Sequence, residues 1–219
     1  MSARTRVKLC GMTSPAEIAL AVEAGADAVG LILAASPRRL ARERFAELVR
    51  AVPPFVDAVA VLADDDPADV AFARECGVTL QFSGTESSET CERAAAGNAY
   101  LKAYHFAENE AARVPVGGRA PAVADLDRYP NAVWLFDSTV RGVLGGTGVP
   151  FDWVTVAPLA RVRPIVVSGG LTPENVAACV RAVRPYAVDV RSGVETDGFK
   201  DDRKMRAFVR AVREIDAEA

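Results

Sequence analysis

Short apolar segments rich in β-branched residues alternate along this chain with longer amphipathic segments. A buried parallel strand reads as a continuous apolar run and a surface helix as a 3.6-residue repeat, so the alternation predicts strands separated by helices. The predicted strands lie near residues 6–10, 28–33, 57–62, 78–82, 99–104, 132–136, 164–168 and 186–190. The predicted helices lie near residues 14–25, 41–51, 67–76, 87–97, 106–113, 152–160, 173–183 and 201–215.

Eight strand–helix units in 219 residues predict a single (β/α)8 barrel domain over residues 1–219. A doubly wound open sheet is the alternative, although it normally uses fewer strands. Ser14-Pro15 and Gly25 mark the start and end of the first helix. The weakest stretch is 105–131, where prolines and glycines predict an irregular fifth helix.

Two glycine-bearing segments follow the last two predicted strands. Ser168-Gly169-Gly170 and Ser192-Gly193 begin 24 residues apart, with a helical pattern between them. Such turns let the backbone approach a ligand closely, and a pair of them after strands seven and eight is a frequent phosphate site in barrels. Gly146 lies in the glycine-rich stretch 145–148, which fits either a further part of this site or a mobile lid. The expected ligand is a phosphorylated small molecule.

Catalytic groups in such barrels lie at the carboxyl ends of strands. The first strand ends at Lys8 and Cys10, whose side chains point to the same side. A nearby ammonium favours the thiolate, although Cys10 also fits a small buried apolar residue. The sixth predicted strand ends at Asp137, which fits either an acid with a raised pKa or a helix cap.

Two further residues follow predicted strand ends. Arg38 follows the second strand and is able to fork onto an anion, but the adjacent Arg39 leaves open which of the two faces the site. His105, just after the fifth strand, is interpreted as a loop residue.

Composition narrows the function classes. The formal charge of −3 argues against a nucleic-acid partner. The longest apolar run, 28–35, is too short for a membrane helix, and no signal peptide is evident. Four cysteines without a C-x-x-C pair, together with a single histidine, predict no metal site and favour a reducing cytoplasm.

The ordered set of strand ends resembles the phosphoribosylanthranilate isomerase family. The similar segments are Val7 to Thr13, Ala24 to Gly30, Ser36 to Arg38, Leu135 to Ser138, Gly145 to Gly148, Ser168 to Leu171, Ser192 to Glu195 and Gly198 to Asp201. The resemblance implies an Amadori rearrangement in tryptophan biosynthesis that needs no cofactor. It further implies Cys10 as general base, Asp137 as general acid and Arg38 as the contact for anthranilate.

The predicted substrate-binding set is completed by Lys8, Gln81 and Asp189. Two positions depart from the family pattern. Ser83 stands where a histidine is usual at the end of the fourth strand, and Arg191 stands where a small residue is common. A monomer is expected, with a dimer as the alternative.

Two other functions remain open. A related phosphosugar isomerase of the histidine pathway would usually carry an aspartate at the position of Cys10. A non-catalytic binder of phosphorylated ligands would keep the glycine turns but would not need the pair Cys10 and Asp137.

Overall fold

The computed structural model describes residues 4–64, 67–108, 115–116, 126–139 and 153–218. Eight parallel strands form a closed barrel, because each strand pairs with the next and β8 pairs with β1. The strands are β1 Arg6–Cys10, β2 Ala28–Ile32, β3 Asp57–Leu62, β4 Thr79–Phe82, β5 Tyr100–Glu108, β6 Ala132–Thr139, β7 Ile165–Val167 and β8 Ala187–Val190. The predicted (β/α)8 fold is confirmed.

Helices follow most strands. They are α1 Pro15–Ala24, α2 Arg42–Ala51, α3 Pro67–Glu75, α4 Ser88–Ala95, α5 Ala157–Ala160, α6 Val176–Val183 and α7 Asp202–Ala217. The Ser14 side chain caps α1 by accepting from the Glu17 backbone N–H, and Gly25 ends this helix with φ of 94°. None of the described helices is both long and apolar enough to cross a membrane.

Side chains alternate along the strands between two layers. On β5 and β6, Leu101, Ala103, Val133 and Leu135 pack together in a small apolar cluster inside the barrel. The intervening residues, such as Trp134, face the larger core between strands and helices. The next inward-facing side chains, two residues further towards the carboxyl end of each strand, therefore reach the mouth of the barrel.

The predicted helix at 106–113 is wrong over its first three residues. Strand β5 continues to Glu108, because it keeps pairing with β6 as far as Ala107 and Thr139. Pro115–Val116 then pairs antiparallel with the end of β5. Residues 109–114 lie outside the described part of the chain.

Two other predicted helices are shorter than expected. The segment predicted at 152–160 is described from 153 onward as a 3-10 turn, Trp153–Val156, followed by α5. Helix α6 begins at Val176 rather than near 173, because the Asn175 side chain closes a turn: it accepts from the Thr172 N–H and donates to the Gly170 carbonyl.

Candidate active site

A cleft opens at the carboxyl ends of the strands. Cys10 of β1 and Asp137 of β6 both line it, together with the loops that follow β7 and β8. The structure thus brings the predicted thiol and carboxyl group into one site. Gly169, Gly170, Ser192 and Gly193 line it too, whereas Gly146 lies outside the described residues.

Cys10 is held in a narrow position against β2. It pairs in register with Gly30, and a Cβ added at Gly30 would lie 2.5 Å from the Cys10 sulfur. Only a residue without a side chain leaves room for the thiol there. Burial raises the pKa of Cys10, and the positive charges of Lys8, Lys200 and Arg191 oppose this rise.

A buried ion pair lies beside the thiol. The Lys8 Nζ donates to Asp189 Oδ1 at 2.9 Å, and the Ser168 hydroxyl donates to Asp189 Oδ2 at 3.3 Å. Burial alone would lower the pKa of Lys8, but Asp189 and Cys10 together outweigh burial and raise it. Lys8 is therefore an ammonium, and it supplies positive charge next to Cys10. Lys8 does not line the cleft itself, whereas Asp189 does.

One wall of the cleft is apolar. Ile32 at the end of β2 and Val61 near the end of β3 pack with Cys10 in a small cluster, together with Ala34 and Ala63 just after those strands. These side chains present no hydrogen-bonding groups to a ligand. Sequence reasoning missed this wall, although the inward-facing positions of both strands are apolar.

The two glycine loops form a second wall. Gly169 and Gly170 adopt φ of 78° and 66°, which side chains rarely tolerate. A Cβ at Gly193 would lie 1.9 Å from the Leu171 carbonyl oxygen. The loop after β8 therefore packs directly on the loop after β7, and glycine is what permits this contact.

A third wall is polar and comes from β4 and β5. Gln81 Nε2 donates to the Ser83 hydroxyl at 3.0 Å, and His105 Nε2 lies 2.8 Å from the Ser83 carbonyl oxygen. His105 lies within β5 and lines the cleft, so its interpretation as a loop residue is wrong. Ser83 contributes a hydroxyl group and a carbonyl oxygen to this wall, and β5 contributes an imidazole.

The position of His105 has a detectable signal in the sequence. Leu101, Ala103 and His105 fall on one face of a strand with period two. The predicted strand ends at residue 104, one residue too early to include His105 among its inward-facing side chains.

Arg38 lies at the rim rather than in the cleft. It lines an adjoining groove, with its guanidinium donating to the Gly11 carbonyl at 2.9 Å and paired with Glu195 at 3.2 Å. Arg39 instead pairs with Asp69, away from the site. Of the two arginines, Arg38 is the one beside the cleft.

Arg191 joins the cleft to this groove, since it lines both. Its aliphatic part lies 3.4–3.5 Å from a Cβ built at Gly11. Nearby, the Lys200 Nζ donates to the Arg191 carbonyl at 2.9 Å and to Glu195 at 2.7 Å. Sequence reasoning did not identify Lys200, because it follows the last barrel strand by ten residues.

Comparison with known proteins gives a consistent result. The family described as N-(5'phosphoribosyl)anthranilate (PRA) isomerase matches residues 7–211. The N-(5'-phosphoribosyl)anthranilate isomerase of Desulforudis audaxviator is 41% identical, covering 96% of this chain and 98% of that protein. That of Halorhodospira halophila is 42% identical, covering 97% and 99%.

Solved structures agree. Phosphoribosyl anthranilate isomerase from Thermotoga maritima superimposes with a TM-score of 0.80 at 31% identity, covering 96% of this chain and 99% of that one. A second such structure, in complex with reduced 1-(o-carboxyphenylamino)-1-deoxyribulose 5-phosphate, gives 0.76 at 31% identity with the same coverage. From fold, site and sequence together, this chain belongs to the phosphoribosylanthranilate isomerase family.

Proposed function

We propose that this cleft rearranges N-(5'-phosphoribosyl)anthranilate to 1-(2-carboxyphenylamino)-1-deoxyribulose 5-phosphate, with Cys10 as general base and Asp137 as general acid. The observation that carries the proposal is that one cleft holds a thiol, a carboxyl group and two contiguous glycine loops. A buried ammonium beside the thiol adds support.

The three walls suggest how the substrate lies. The phosphate would rest on the glycine loops after β7 and β8, where Ser192 and Gly193 line the cleft. The anthranilate ring would pack against the apolar wall near Cys10. Arg38 at the rim would attract the anthranilate carboxylate. Fixing both ends of the substrate holds the sugar carbons between Cys10 and Asp137.

The first chemical step opens the sugar ring. Asp137 donates a proton to the ring oxygen while the bond between that oxygen and C1 breaks. The nitrogen lone pair forms a double bond to C1 and leaves an iminium cation. A positioned acid contributes roughly 100- to 10,000-fold to such a step.

The second step removes a proton from carbon. The Cys10 thiolate takes the proton from C2, and the C–H electrons form a C1–C2 double bond as the iminium nitrogen becomes neutral. The resulting enol then tautomerises to the ketone. Burial, which raises the pKa of Cys10, makes its thiolate a stronger base, and the Lys8 ammonium stabilises that thiolate.

The test is turnover of fluorescent phosphoribosylanthranilate by the purified chain. We expect wild type to consume it, and Cys10→Ala to lose at least 100-fold in kcat. Asp137→Asn should lose a similar factor, because an amide has no acidic proton to donate. Both variants should still bind the reduced product analogue, since the glycine loops are unchanged.

Cys76→Ser is the matched control, because Cys76 is a partly exposed thiol that does not line the cleft. It should keep wild-type turnover. Near-normal kcat in Cys10→Ala would remove the assignment of the base, and a wild-type chain without turnover would remove the activity.

The remaining expectations concern the surroundings of the enzyme. We propose that the protein is a cytoplasmic monomer that binds a small phosphorylated substrate. One related enzyme, from Thermotoga maritima, is described as dimeric. Sedimentation equilibrium of the purified chain distinguishes the monomer from the dimer.

A further inference from the structure

We propose that His105 is a substrate-binding residue whose Nδ1 accepts a hydrogen bond from a hydroxyl group of the sugar. This inference rests on the proposed function and assigns one more contact to the same cleft. It concerns the polar wall, which the acid and base steps do not use.

The hydrogen-bond geometry fixes which nitrogen carries the proton. His105 Nε2 lies 2.8 Å from the Ser83 carbonyl oxygen. A carbonyl oxygen only accepts, so Nε2 must donate. In the neutral ring Nδ1 is then an acceptor. It is buried and has no hydrogen-bond partner within the described ranges.

The surroundings support a neutral ring. Burial lowers the pKa of His105, and the nearby Lys102 ammonium lowers it further, while the Ser83 carbonyl and the Glu86 carboxylate oppose this effect. Asp137, the register partner of His105 on β6, also lines this side of the cleft.

A second side chain in the same wall also carries a buried acceptor without a donor among the described residues. Gln81 Oε1 is also buried without a hydrogen-bond partner in the part of the chain that is described, and Gln81 lines the cleft. Two unpaired acceptors in the same wall of the cleft favour a ligand that brings donors. A phosphate and a carboxylate carry only acceptors and the anthranilate nitrogen carries a single N–H, whereas the sugar carries more than one hydroxyl group and can satisfy both acceptors. The sugar is therefore the part of the substrate that suits this wall.

The register places this contact next to the reacting atoms. Since His105 and Asp137 are paired on adjacent strands, a hydroxyl held by His105 lies beside the group protonated by Asp137. The contact would orient the sugar carbons after the ring has opened, when rotation about their bonds becomes free.

The test compares His105→Asn with His105→Gln. The asparagine amide lies near the position of Nδ1 and keeps an acceptor facing the cleft. The glutamine amide reaches the position of Nε2 and keeps the donor to Ser83. We expect His105→Gln to weaken binding of the reduced product analogue roughly threefold to tenfold by calorimetry, and His105→Asn to weaken it less. Inorganic phosphate should bind equally to all three proteins.

The outcomes separate the two proposals. If His105→Gln binds the analogue as tightly as wild type while His105→Asn is weaker, the histidine only supports Ser83 and the inference is overturned. Equal binding by all three proteins also overturns it. A wild-type chain that binds the analogue but does not turn over phosphoribosylanthranilate would overturn the proposed function and leave the His105 contact standing.

Discussion

Cys10 experiences two opposing influences at the scale of a single residue. Burial raises the pKa of its thiol, while Lys8, Lys200 and Arg191 lower it. We expect the alkylation rate of Cys10 by iodoacetamide to keep rising above the usual thiol pKa of about 8.5, because only the thiolate reacts. In Arg191→Ala the rise should move to still higher pH, since a cation that favours the thiolate is gone.

Mass spectrometry in a Cys76→Ser background isolates this reaction. Cys91 and Cys179 are buried, and burial raises the pKa of each to about 12. A Cys10 alkylation rate that levels off at a pH below about 8.5 would contradict the conclusion that burial outweighs the nearby positive charges in setting the thiol pKa.

At the scale of an element, the pairing of β1 with β2 determines the position of the thiol. The space above Gly30 is occupied by the Cys10 sulfur, so Gly30→Ala forces the sulfur or the strand to move. We expect kcat to fall by at least tenfold with the fold retained, because a displacement of about 1 Å costs up to 100-fold. Turnover with unchanged circular dichroism measures this, and normal kcat would show that the thiol position is not critical.

The elements also show where sequence patterns suffice. Strands β1 to β4 and helix α1 follow from apolar runs, caps and glycines that act locally. The extension of β5 to Glu108 depends on pairing with β6, which begins 24 residues after that strand ends. Local patterns contain no information about this pairing, so they predict a strand that is too short and place His105 in a loop.

At the scale of the whole molecule, Asp27 joins distant parts of the chain. It follows α1 and accepts from the Val7 backbone N–H at 2.8 Å and from Arg213 of α7 at 2.9 Å. Burial alone would raise the pKa of Asp27, but these two donors and the charge of Arg4 together outweigh burial and lower it.

We expect Asp27→Asn to reduce the free energy of unfolding by about 1–2 kcal/mol at neutral pH, allowing for solvent screening. Because the folded pKa is lowered, this stabilisation is complete above the unfolded pKa of about 3.9 and is lost as the pH falls through the folded value. Urea unfolding at several pH values should therefore show the two proteins converging in acid. Glu89→Gln, which removes an exposed pair with Arg93, should change little. A constant difference at all pH values would contradict the role of the Asp27 charge.

The site as a whole was predictable in part. Cys10, Asp137 and the glycine turns stand at strand ends, and the barrel rule brings strand ends together. The ion pair of Lys8 with Asp189 and the contact of Gly193 with Leu171 depend on strand register and loop packing. Neither follows from spacing along the chain.

The three unlike walls of the cleft have a stereochemical consequence. A tetrahedral carbon held between the apolar wall, the two glycine loops and the polar wall would meet its surroundings in one handedness only. Cys10, the proposed base, would then face a single side of the sugar carbon. The mirror-image pentose would direct its C2 hydrogen away from Cys10. The order of the strands around the barrel would therefore select one enantiomer of the sugar.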